Sequence, residues 1–120
     1  MIFVPDKKIL REYERERTQG LRRVKKLLRE LYEGRAYEKK TIAKIKELRA
    51  EWEREDASLK ELWKKKRQTP QSFLDYNRAS IELMYMYMQK EVDLLQTEIN
   101  GDNVIEEANE TRNAQNKSAD

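Results

Sequence analysis

The stretch Leu31-Tyr32-Glu33-Gly34-Arg35 decides how the first half of the chain folds. Glycine enters the left-handed conformation that closes a helix without the steric cost other residues meet there. On both sides of it the sequence favours helix. Upstream, Leu10, Tyr13, Leu21, Val24, Leu28 and Leu31 fall on one helical face. Downstream, Ile45, Leu48, Trp52, Leu59 and Leu62 do the same, with Ile42 and Trp63 at the edges of the stripe. Read as a stop, Gly34 makes a long antiparallel hairpin of helices over about 6–33 and about 36–67. A competing reading keeps one register from Leu27 through Leu31, Gly34, Glu38, Thr41 and Ile45, and makes the two segments one continuous helix. The hairpin is preferred, because Gly34 then falls where polar seam positions would weaken a continuous coil.

The remaining punctuation supports the same architecture. Pro5-Asp6 opens the first helix, with the Asp6 carboxylate placed to accept from an orphan N–H of the first turn. Gln68-Thr69-Pro70-Gln71 is a second boundary, with Thr69 as N-cap and Pro70 at the first helical position. A third helix then runs over about 70–100 on the stripe Leu74, Ile81, Tyr85, Met88, Val92, Leu95 and Ile99, and Asn100-Gly101 closes it. Gly20, inside the first helix, marks either close packing or a weak point, since glycine there costs about 1 kcal/mol relative to alanine. Beyond Gly101 the chain turns polar and acidic, with Val104 and Ile105 its only large apolar residues. The sequence therefore predicts an all-α fold: one helical domain over 1–101, and a mobile C-terminal tail over 102–120. The domain is a hairpin plus a third long helix, arranged as a three-helix bundle or a coiled-coil-like oligomer.

Composition narrows the functions such a fold can serve. Of 120 residues, 38% are hydrophobic and 41% charged, which suits slender helices that each bury a narrow stripe. There is no His and no Cys. Disulfides, zinc sites, thiol nucleophiles and imidazole acid–base chemistry are thereby excluded. Glu12/Glu16, Glu51/Glu55 and Glu106/Glu110 pair on helical faces, but di-metal bundles also use Glu-x-x-His. No glycine-rich phosphate loop and no nucleophile elbow accompanies them. The reading is of a non-enzyme, with no catalytic residue, no metal site, no cofactor and no small-molecule substrate.

Charge and apolar patterning then point to partners. The net charge of +3 conceals an asymmetry: 1–67 carries 22 basic and 13 acidic residues, the rest 4 and 10. Arg22, Arg23, Lys25 and Lys26, and the run Lys64-Lys65-Lys66-Arg67, are candidate phosphate contacts for a nucleic acid. Interleaved glutamates argue instead for solvated faces, and basic residues at 64–67 also complement a helix dipole. The most informative segment is Leu83-Met84-Tyr85-Met86-Tyr87-Met88, six residues that cover every side of a helix. A helix apolar all round is buried on several sides. The leading reading makes these six, with Trp63, an interface to a protein partner or a second copy, where tyrosine and methionine are favoured. The alternative has the other two helices cover them within the monomer. Trp52 is read as core. Ile2-Phe3-Val4 is either an arm reaching a neighbour or a local staple onto the first turn near Leu10. No apolar run reaches the roughly 20 residues of a membrane span, and a soluble, intracellular, cytoplasmic protein is expected. The function expected is that of a non-catalytic oligomerisation, adaptor or assembly module, the alternative being a nucleic-acid-binding or regulatory protein.

Overall fold

The computed structural model describes residues 3–118, with side chains over 3–101. It holds three helices, α1 Lys7–Tyr32, α2 Lys39–Lys64 and α3 Pro70–Ser118, and no strand among the described residues. The chain is an all-α three-helix bundle. Its helix starts follow from capping chemistry. Asp6 Oδ1 accepts from the Ile9 N–H at 2.9 Å. Thr69 and Ser72 form a reciprocal pair at the start of α3. The Ser72 N–H donates to Thr69 Oγ1 at 3.1 Å, and the Thr69 N–H donates to Ser72 Oγ at 2.8 Å. Pro70, which has no N–H to leave unpaired, sits between them.

Gly34 takes a φ of +69°, closes α1 and turns the chain, so the continuous-helix alternative does not occur. The turn is held from both sides. The Tyr37 hydroxyl donates to the Leu31 carbonyl, and its ring meets Tyr32 edge-on at 5.8 Å. The Glu38 N–H donates to Glu98 on α3 at 3.0 Å. These bonds draw residues 35–38 into the link, so α2 begins at Lys39 rather than 36, and it ends at Lys64 rather than 67. At Asn100-Gly101 the expectation is corrected. The helix does not stop there but continues through Gly101 to Ser118. A helical glycine costs about 1 kcal/mol, which weakens a helix without ending it. The predicted mobility of 102–120 lies outside the described side chains.

Pairings along the helices give their directions. Tyr13 with Phe73, Gly20 with Ile81 and Tyr32 with Glu91 ascend together, so α1 runs parallel to α3. Thr41 with Glu98, Arg49 with Glu91 and Trp63 with Tyr76 run opposite, so α2 is antiparallel to α3. The hairpin is present in connectivity and direction, yet the backbones of its arms do not pack on each other, and their side chains come together at Tyr32 and Arg49. Among the described residues no Cα of α1 comes within 8 Å of a Cα of α2. The core is Leu21, Val24 and Leu28 from α1, Ile45 from α2, and Val92 and Leu95 from α3. All six belong to the apolar stripes visible in the sequence.

Candidate interaction site

Two helices packed on a third but not on each other leave a space between them. Here it is a trough of about 940 Å³. Its floor is Met84, Tyr87, Met88 and Glu91 of α3. One wall is Lys25, Leu28, Arg29, Tyr32 and Glu33, and the other is Leu48, Arg49, Trp52 and Glu53. The helical repeat explains the lining: Met84, Tyr87, Met88 and Glu91 are spaced i, i+3, i+4, i+7 and so share one stripe of α3. The surface is apolar at its centre and charged along its rims.

One buried acid in the floor organises the inner end. Glu91 has only 7% of its side chain exposed. Arg49 clamps it with two bonds, Nε to Oε1 at 2.9 Å and Nη2 to Oε2 at 3.1 Å. The Tyr32 hydroxyl donates to Oε2 at 2.9 Å. All three helices thus meet on one carboxylate. Burial, and then the bond to Glu91, push the Tyr32 hydroxyl up from its ordinary 10.0 to about 12. Arg49's own hydrogen bonding to Glu91 raises it further above its ordinary value. A polar group standing inside the apolar stripe of α3 was the signal in the sequence. Arg49 and Tyr32 lie 42 and 59 residues from it, beyond the reach of periodicity. In the trough wall, Trp52 is half-buried, and among the described residues its Nε1 is enclosed without an acceptor.

The six expected interface residues divide between environments. Met84 and Met88 are half-buried and Tyr87 is buried, all three in the trough floor. Leu83 is half-buried, while Tyr85 and Met86 are exposed on other sides of α3. Trp63 lies at the far end of the molecule. It stacks on Tyr76 at 5.1 Å and leans on Phe73 at 6.1 Å, where Phe3 and Tyr13 also gather. Of the N-terminal arm, Phe3 is folded onto its own chain against Phe73 and its N–H donates to Gln68, Val4 is exposed, and Ile2 lies outside the described residues.

The basic clusters are not brought together. Lys64, Lys65, Lys66 and Arg67 are exposed beside Phe3 and Phe73, at the end where α1 begins. Arg22, Arg23, Lys25 and Lys26 are exposed about 14–20 Å further along α1, at 1.5 Å per residue from Tyr13. Among the described residues no three acidic side chains converge as a metal site. No helix among them is long and apolar enough to cross a membrane. Comparison of the chain with models of known protein families, with curated proteins and with solved structures finds no match.

Proposed function

We propose that this chain is a non-catalytic helical interaction protein, an adaptor or assembly module, that receives a helix of a protein partner in the trough between α1 and α2. The observation that carries the reading is the separation of α1 and α2 on a shared α3. Packed helices lie 8–10 Å apart, so two neighbours of one corner in a square four-helix bundle stand roughly 11–14 Å apart across the diagonal. Helices α1 and α2 lack the close backbone approach of adjacent corners, and the trough between them is where a fourth helix would pack. Leu28, Leu48, Trp52, Met84, Tyr87 and Met88 offer it an apolar bed. Helix-in-groove recognition uses such a bed, read by anchors at i, i+3 or i+4, and i+7. Met and Trp suit a surface that adapts to a guest side chain.

The test uses Trp52 as the reporter in a Trp63→Phe chain. A helical peptide with a leucine ridge and glutamine flanks should change Trp52 emission saturably. A peptide of the same composition with the ridge scrambled should not. Leu48→Glu should abolish the response while leaving helix content intact. Equal responses to both peptides, or binding that survives Leu48→Glu, would overturn the reading.

A further inference from the structure

The charges along the trough select among amphipathic helices, and this inference rests on the trough being a helix-docking site. Lys25 and Arg29 line the α1 wall, and Arg22 precedes them at i, i+3, i+7 spacing on the same side of α1. All three are exposed, and among the described residues none forms an ion pair. The opposite wall differs. Its one lining cation, Arg49, has its charge committed to Glu91, which leaves Glu53 as the free charge on that side. Glu33, also on the α1 wall, lies beyond Arg29 at its inner end, so the trough has a wall that is positive along Arg22, Lys25 and Arg29 and a mildly negative one opposite, about two helical turns long from Met84 to Glu91.

We propose that the helix this trough takes carries an acidic flank, laid against α1. Carboxylates repeating along that flank at i, i+3 or i+4, and i+7 meet Arg22, Lys25 and Arg29 in turn. The apolar ridge of the same helix faces Leu28, Trp52 and Met88. The flank toward α2 is neutral or basic, since it passes Glu53. Charges at such rims set orientation and partner choice more than raw affinity, and salt screens them.

The experiment titrates the Trp63→Phe chain with three helical peptides, reading Trp52 emission. All share a leucine ridge and one glutamine flank, and the second flank is glutamate, glutamine or lysine. The peptide is free to lie in either direction, and only one of the two brings its glutamate flank to α1. The glutamate peptide should bind about five- to tenfold tighter than the glutamine peptide at low salt, as two or three exposed charge pairs provide. That advantage should shrink at high salt. In Lys25→Glu/Arg29→Glu, whose exposed sites leave the core untouched, the preference should invert toward lysine. If the glutamate and glutamine peptides bind equally, or the charge-reversed chain keeps the glutamate preference, the acidic-flank proposal fails while the docking reading stands. If none of the three binds, the docking reading itself fails.

Discussion

The seam between α1 and α3 and the seam between α2 and α3 are built from different materials. Along the first, Leu21, Val24 and Leu28 of α1 share one buried cluster with Val92 and Leu95 of α3, and Ile81, Met84 and Met88 pack against it. Gly20 brings the backbone of α1 so close that a Cβ there would lie 2.8 Å from Ile81 Cγ2. Asn77, fully buried, donates to the Tyr13 carbonyl at 3.1 Å. Along the second, α2 buries only Thr41 and Ile45. The rest of its attachment is polar or aromatic: Thr41 Oγ1 to Glu98 at 2.6 Å, Arg49 on Glu91, and Trp63 on Tyr76. The lesson is physical. Apolar area removed from water stabilises at about 25 cal/mol per Å², while exposed or half-exposed polar contacts return little net. Helices α1 and α3 share most of the buried apolar side chains, and α2 is a wall held largely by discrete polar and aromatic latches.

The largest effects should come from the apolar seam. Leu21→Ala should cost about 2–5 kcal/mol, and Leu48→Ala in the trough wall at most about 1 kcal/mol, both by urea denaturation. Equal costs would erase the distinction between seam and trough. Gly20→Val should cost about 1–3 kcal/mol by overpacking against Ile81, and adding Ile81→Ala should recover most of it. Lack of recovery would mean that Gly20 serves something other than close approach.

The latch between α2 and α3 gives the next effect. Arg49→Met leaves Glu91 with the Tyr32 hydroxyl alone and should cost about 1–3 kcal/mol, although Arg49 itself is largely exposed. Arg49→Met with Glu91→Leu should be close to neutral, because no buried charge then lacks a partner. The smallest effect is a pH dependence. The fold raises Tyr32 from 10.0 to about 12, so it favours the neutral hydroxyl. Its contribution is complete below pH 10 and fades as pH climbs from 10 to about 12. The stability gap between the parent chain and Tyr32→Phe should therefore narrow across that window. A constant gap would sever Tyr32 from the Glu91 latch.

Much of this architecture is legible in the sequence because it is local. Asp6, Gly34 and Thr69-Pro70 punctuate the chain through their own backbone and side-chain chemistry. The three- and four-residue spacing of Leu21, Val24, Leu28, Ile45, Val92 and Leu95 marks the core faces. Periodicity says which face of a helix is buried but not which helix it meets. The open trough, and the division of 83–88 between its floor and the solvent, were therefore beyond it. Gly101 misled because Asn-Gly ends many helices without being obliged to. The Tyr32–Glu91–Arg49 network joins three helices across long sequence separations, where only tertiary packing decides the pairs. Gly20 was ambiguous for the same reason, and Ile81 resolves it as a site of close approach.

The central claim, that α1 and α2 stand apart across an open trough, can be tested in a chain that has no cysteine of its own. Lys25→Cys and Glu53→Cys put one thiol on each facing wall. A disulfide needs its Cα atoms within about 7 Å, and no Cα of α1 lies within 8 Å of one in α2 among the described residues. The account predicts that both thiols stay free under mild oxidation, and that spin labels on them report separated walls with or without a docked helix. Rapid disulfide formation, or a short label distance in the free chain, would show α1 packed on α2 and would contradict it.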